Sequence, residues 1–166
     1  MDLRFFRQVS RGLLDDLLKL PAYDLEVSLL PDLAMARLNE QFVHHAGSTD
    51  VITFDYAEPQ HPASGIRHPA SGIRHPASGI QPPASALHGE LFLCSDEALR
   101  QARRFRTTWQ SELVRYLVHG VLHLLGHDDL SPAPRRRMKR AENKLLRALA
   151  ARFPLHRIAR PAASPA

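Results

Sequence analysis

The stretch HGVLHLLGHDD, residues 119–129, decides how this chain is interpreted. Its first two histidines, His119 and His123, are four residues apart and therefore lie one turn apart on the same face of a helix. The surrounding run ELVRYLVHGVLHLL (112–125) is apolar on nearly every face, which predicts a buried helix. Buried imidazoles need partners for their ring nitrogens. Backbone groups can supply them, but one metal ion can serve both rings, at Zn–N distances of about 2.0–2.1 Å.

The residues that follow the helix offer a third ligand. Gly126 is predicted to end the helix in a left-handed conformation and to turn the chain back, which brings Asp129 to the site. The pattern H-x3-H-x2-G-x2-D has the spacing of the long metzincin motif, with Asp in place of its third His. His127 is the alternative third ligand, but on a continued helix it would lie about 12 Å along the axis from His119. Three protein ligands leave one position open, which is typical of catalytic zinc.

The residue after the first histidine argues against proteolysis. Zinc proteases of this type carry Glu there as the general base, and this chain has Gly120. Glu112, two turns earlier, is either a group that supports the site or a surface charge of the helix. Asp50, at the start of a predicted strand, either orients the site or stabilises a turn or cap.

Composition indicates a globular protein with an anionic partner. The 166 residues include 22 Lys plus Arg against 17 Asp plus Glu, a formal charge of +5 with a pI near 10.0. Nucleic acid is the commonest partner for such a balance, and a solvated basic surface is the alternative. A single cysteine, Cys94, excludes an intramolecular disulfide and suits a reducing compartment. We find no signal-peptide pattern at the N-terminus and no apolar run long enough to span a bilayer, so we expect a cytoplasmic protein without a membrane partner.

Hydrophobic periodicity predicts strands mixed with helices, and hence an α+β domain with a small mixed sheet packed by helices. We expect one domain over residues 1–154 and a flexible tail over 155–166. The predicted helices are the first twenty residues, a segment from Asp32 to near Gly47, one capped by Ser95 or Asp96 and running to about Arg106, the histidine helix from Thr108, and one from Ser131-Pro132. The predicted strands are 25–29, 50–56 and 89–94.

A short repeat interrupts this pattern between the last two strands. HPASGIR occurs at 61–67 and 68–74, and HPASGIQ follows at 75–81. Proline, glycine and serine in every copy oppose both helix and strand, so residues 58–86 are predicted to form a disordered insertion.

Several segments together resemble the YbeY family of bacterial endoribonucleases, also described as rRNA maturation factors. They are HGVLHLLGHDD, LNEQF (38–42), STDVITF (48–54), GELFLC (89–94) and Met138 with Glu142, in the family's order. The resemblance implies a small α+β fold, one zinc ion, and a role in 16S rRNA maturation and ribosome quality control. It assigns the zinc ligands to His119, His123 and the position of Asp129, where the family usually has His.

The resemblance also bears on RNA binding. The family usually has Arg directly after the aromatic residue of its LNxxY segment, and this chain has Val43 there. Either His44 and His45 or Arg37 then take over the phosphate contact, or cleavage is weakened. Arg135 and Arg136 are further candidates for binding phosphates, as are the cations at 103–106.

The sequence therefore predicts metal-dependent cleavage of single-stranded RNA, with an rRNA precursor as substrate and the small ribosomal subunit as a candidate partner. Two alternatives stay open. One is a non-catalytic ribosome-assembly factor whose metal is structural, and the other is a metal hydrolase acting on another substrate.

Overall fold

The structure, a computed structural model, describes residues 1–56 and 87–159. Within these ranges the chain forms five α-helices and three β-strands. The helices are α1 (Leu3–Arg11), α2 (Asp32–Leu38), α3 (Ser95–Phe105), α4 (Trp109–Leu124) and α5 (Pro132–Arg152). The strands are β1 (Tyr23–Leu30), β2 (Val51–Asp55) and β3 (Leu87–Cys94). The chain is therefore α+β, as predicted.

The three strands form one mixed sheet in the order β1-β3-β2. β3 lies in the centre, parallel to β1 and antiparallel to β2, with Val27 opposite Leu91 on one side and Thr53 opposite Leu91 on the other. The central strand alternates between two packing faces, because successive side chains point to opposite sides of a sheet. Leu91 and Leu93 point to one face, whereas Phe92 and Cys94 point to the other.

The two faces carry cores of different size. The larger core packs α4 onto Leu91 and Leu93 through fully buried residues such as Leu117 and Val118, and α1 and α5 complete it. The smaller core packs α2 onto the opposite face around Met35. Helix α4 is therefore held between the sheet and α5, which explains why its sequence is apolar on nearly every face.

The predicted elements are present, with small shifts at their ends. Helix α2 continues through a π-helical turn, Asn39–Val43, and ends at His44, whose φ of 60° is left-handed, so the helix stops before the predicted Gly47. The N-cap of α3 is Cys94, whose Sγ accepts a hydrogen bond from the Glu97 amide at 3.4 Å. The prediction that Ser95 or Asp96 caps this helix is therefore wrong.

The flexible tail is predicted to begin at residue 155, but residues 155–158 are ordered. Residues Leu155–Ile158 form a 3-10 turn, and the side chains of Leu155 and Ile158 are buried in the larger core. The Ile158 carbonyl also accepts a hydrogen bond from the Asp2 amide at 2.8 Å, which ties this turn to the start of α1. Apolar side chains after Pro154 explain the error, since they allow the chain to rejoin the core. The predicted insertion 58–86 and the last seven residues lie outside the described ranges.

No helix within residues 1–56 and 87–159 combines the length and the apolar character needed to cross a membrane.

Candidate metal centre

Helix α4 carries the two histidines that the sequence singled out. Thr108 is its N-cap, and the Thr108 hydroxyl accepts a hydrogen bond from the Ser111 amide at 3.2 Å. One turn before its end the helix comes unusually close to the sheet at Gly120, where a Cβ would lie 2.7 Å from Leu91 Cδ2. Residue 120 therefore faces the sheet, and the histidines on either side of it lie at the edge of the core.

The two imidazoles face each other. Their Nε2 atoms are 3.0 Å apart, with the ring planes at 82°. Each Nδ1 contacts an acceptor, which is a Glu142 carboxylate oxygen at 3.2 Å for His119 and the His127 carbonyl at 3.1 Å for His123. An acceptor at Nδ1 favours the tautomer with the proton on that atom, which leaves the Nε2 lone pair free.

The turn after α4 brings in a carboxylate. Gly126 has a φ of 82°, as predicted for a helix-ending glycine, and the helix stops at Leu124. The chain then reverses so that Asp129 Oδ1 lies 3.9 Å from His123 Nε2. Arg135 donates from Nε to the Asp129 carbonyl at 2.9 Å, which anchors the loop to α5. The structure therefore brings together the three residues predicted as metal ligands.

The three side chains fit a metal ion. One ligating atom from each of His119, His123 and Asp129 lies within 4.8 Å of the others. Tetrahedral zinc with ligands at 2.0–2.1 Å separates them by about 3.3 Å, which falls inside the observed range of 3.0 to 4.8 Å. Two Nε2 lone pairs at 3.0 Å repel each other unless a metal ion or a shared proton lies between them. Burial, reinforced by the neighbouring His119, lowers the pKa of His123, which favours the neutral imidazole that binds metal.

His127, the alternative third ligand, takes a different position. His127 is exposed, and its backbone carbonyl contacts Nδ1 of His123. Because this contact uses the backbone, it orients a ligand without depending on the His127 side chain.

Glu142 of α5 is a site residue whose role the sequence analysis missed. It is 3% exposed and receives hydrogen bonds from Arg115 at 2.7 Å and Lys139 at 2.8 Å, besides contacting His119. Burial alone would raise the pKa of this carboxyl, but the hydrogen bonds of His119, Lys139 and Arg115 outweigh it and hold the pKa at about 2. Glu142 is therefore ionised at neutral pH. A fixed carboxylate behind a ligating imidazole orients the ring and increases its basicity.

Glu112, predicted to be either a group that supports the site or a surface charge, is not a surface charge and has no described contact with His119 itself. It is buried, accepts a hydrogen bond from the Thr107 hydroxyl at 2.6 Å, and pairs with Arg115 at 3.2 Å. Burial opposes the charged form of Arg115, but Glu142 and Glu112 together outweigh it and raise the guanidinium pKa. A continuous polar chain thus runs along one face of α4 and reaches the metal centre through Glu142.

The other candidates have simpler surroundings. Asp50 Oδ1 accepts from the Val51 amide and the Thr49 hydroxyl, both at 3.0 Å, which is the turn role allowed by the sequence. The candidates for RNA binding are exposed on two elements, at α2 and the turn after it and at the start of α5, and they are Arg37, His44, His45, Arg135 and Arg136. Their contact with RNA stays a prediction.

Fold and site together define a small α+β protein with a histidine helix and an acidic turn that can hold a metal ion. The sequence model of the family described as Endoribonuclease YbeY matches residues 3–150. The chain therefore belongs to the endoribonuclease YbeY family, as the motifs predicted.

Individual relatives support the same family assignment. A protein named Endoribonuclease YbeY from a Nocardioides species is 31% identical over 158 residues, covering 92% of each chain. Relatives of the same name from Chlorobium phaeovibrioides and Myxococcus xanthus are both 35% identical, over 70% and 78% of this chain. The chain spans 62% and 37% of the length of those two proteins. A solution structure of a Thermotoga maritima protein has the same fold, with a TM-score of 0.61 and 19% identity, over 99% of this chain and 94% of that one.

Proposed function

We propose that this protein is a metal-dependent endoribonuclease that cuts single-stranded RNA, with zinc as its metal. The observation that carries the proposal is the convergence of His119, His123 and Asp129 within 4.8 Å in a chain of the endoribonuclease YbeY family. Three ligands leave an open coordination position for substrate. Two imidazoles and one carboxylate suit zinc better than magnesium or calcium, which prefer oxygen donors.

The chain's own residues prepare the site for a phosphodiester. When bound, zinc supplies a Lewis acid that polarises a phosphoryl oxygen and activates water. Glu142 and the His127 carbonyl hold the two imidazoles in orientation, so the site is formed before substrate arrives. Arg135 fixes the loop that carries Asp129 and is exposed beside it, where it can attract the RNA backbone.

The biological setting is proposed from the family resemblance. The substrate would be a precursor of 16S rRNA, cut during maturation and quality control of the small ribosomal subunit in the cytoplasm. The basic composition, with its formal charge of +5, supports a nucleic-acid substrate.

The test compares wild type with His119→Ala and His123→Ala on an rRNA precursor, with zinc content and thermal unfolding measured for each protein. We expect each variant to lose cleavage by more than about a hundredfold, since even residues behind a metal ligand are worth 10–100-fold. Chelation of wild type should abolish cleavage, and added zinc should restore it.

His156→Ala, an exposed histidine outside the site, is the control and should cleave normally. Cleavage that survives chelation, or that persists in His119→Ala, would overturn the proposal. Variants that unfold upon loss of metal would favour a structural metal in a non-catalytic assembly factor.

A further inference from the structure

A polar cavity lies on α4, in the turns that precede His119. Its volume is about 730 Å³, and α3, α5 and the segment before β2 complete its walls. Its lining includes Thr49, Phe105, Glu112, Arg115, Tyr116 and Asn143. The volume lies within the range of about 300–1,000 Å³ that small-molecule sites occupy.

Tyr116 is the residue that points to a ligand in this cavity. Its side chain is 4% exposed, and its hydroxyl oxygen is buried without a hydrogen-bond partner among the described residues. Buried hydroxyls are nearly always paired, because an unpaired one loses its hydration without compensation. Burial, reinforced by the charges of Asp50 and Glu97, raises the hydroxyl pKa well above its usual value, so the group stays a donor.

The charges of the cavity select a neutral group. Within the described parts of the chain, three carboxylates line it, from Asp50, Glu97 and Glu112, against two cations, from Arg115 and Lys139. Both cations already pair with Glu142. A phosphate inside would therefore meet an excess of negative charge, whereas a base or ribose could use the hydrogen-bonding groups.

Phe105 lies at the edge of this cavity with its ring largely available. The residue is 60% exposed, and the Arg104 guanidinium lies 5.3 Å from the ring centroid. An exposed aromatic ring beside polar groups suits the stacking of an unpaired nucleic-acid base.

We propose that this cavity binds one nucleoside of the RNA strand, with its base stacked on Phe105 and an oxygen or ring nitrogen accepting from the Tyr116 hydroxyl. This inference rests on the proposed function, because it places the nucleoside next to the bond that is cut. Arg115 and His119 are four residues apart on α4, or about 6 Å along the helix axis.

Binding is tested without cleavage. Zinc-loaded full-length protein is titrated by NMR with adenosine, cytidine, guanosine and uridine in turn, and with inorganic phosphate. We expect at least one nucleoside to bind in the millimolar range or tighter and to shift the resonances of α3 and α4, and we expect inorganic phosphate not to displace it. Tyr116→Phe, which removes only the hydroxyl, should weaken that binding about 3- to 10-fold. Phe105→Ala should weaken it about tenfold.

Leu99→Ala is the matched control, because Leu99 is also exposed on α3 but does not line the cavity. It should bind nucleosides like wild type. The inference is overturned if no nucleoside binds at millimolar concentration, or if either cavity variant binds as tightly as wild type. Failure of the proposed function looks different, since wild type would then not cleave RNA while nucleosides still bound.

Discussion

At the scale of single residues, the proposed third metal ligand is one position where the resemblance to the family breaks down. Asp129 presents a carboxylate 3.9 Å from His123 Nε2, whereas His127 is exposed and offers its carbonyl to the other ring nitrogen of His123. A carboxylate ligand brings a negative charge that an imidazole does not. The bound ion would then keep less positive charge to polarise a phosphate.

Separate variants of these two residues should differ in metal binding. We expect Asp129→Ala to weaken zinc affinity by more than about a hundredfold, because it removes a ligand. His127→Ala should change it less than about threefold, because the carbonyl that contacts His123 is retained. Competition with a chromophoric chelator measures both. A larger loss in His127→Ala than in Asp129→Ala would assign the third ligand to His127.

Glu142 should affect metal binding through its contact with His119. Glu142→Gln keeps the size of the side chain but removes the charge, and we expect zinc affinity and RNA cleavage to fall about 10- to 100-fold. Glu112→Gln is the comparison, because Glu112 is also buried and paired with Arg115 but has no described contact with His119. Equal losses of zinc in the two variants would contradict an orienting role and indicate general destabilisation.

The difference between predicted and unpredicted site residues follows from distance along the chain. His119, His123 and Asp129 belong to one helix and the turn after it, so spacing and a glycine sufficed to predict their proximity. Glu142 lies on the next helix, and its contact depends on how α4 and α5 pack. The family resemblance marks Glu142 in the sequence, but its burial and its contact with His119 appear only in the structure.

At the scale of elements, Gly120 explains the close fit of α4 on the sheet. In the sequence, Gly120 is notable because zinc proteases with this histidine spacing carry glutamate at the same position. The structure shows that a side chain here would point into the core, with a Cβ 2.7 Å from Leu91 Cδ2 and 3.2 Å from Val51 Cγ2. A glutamate at 120 would therefore have to enter the contact between helix and sheet.

Gly120→Ala should accordingly destabilise the fold even though alanine favours helices. We expect about 1–3 kcal/mol of lost stability from overpacking, measured by urea unfolding. Lys144→Ala, at an exposed position of α5, should stay within about 0.5 kcal/mol of wild type. Leu91→Val should recover part of the loss when combined with Gly120→Ala, and unchanged stability in the single glycine variant would contradict the close approach.

Element types were predictable, but their ends and partners were less so. The apolar run of α4 and the β-branched residues of β2 are strong local signals. The π-helical turn after α2 has no comparable signal, since its residues would also suit an α-helix. The order β1-β3-β2 depends on pairing between distant segments, which periodicity does not specify.

At the scale of the whole molecule, two exposed arginines, Arg135 and Arg136, lie at the start of α5, next to the loop that carries Asp129. The formal charge of +5 attracts RNA from any direction, but only cations near the metal centre can align a phosphate with it. Arg135 is joined to the Asp129 loop, and Arg136 is exposed beside it in the sequence. We therefore expect the RNA strand to bind at this end of α5.

Arg136→Gln tests that expectation, because the Arg136 side chain has no described contact and its loss should leave the fold intact. Binding of a single-stranded RNA is measured across a series of salt concentrations, with His119→Ala also present so that the RNA is not cleaved. The slope of log affinity against log salt should become about 0.7 shallower, the value of one phosphate contact on a single strand. Arg147→Gln is the control on the same helix, about 16 Å further along its axis, and its slope should match that of the parent. If the two slopes are equal, Arg136 makes no phosphate contact and the expectation for the start of α5 is wrong. The remaining candidates are then Arg37, His44, His45 and the exposed arginines at 103–106.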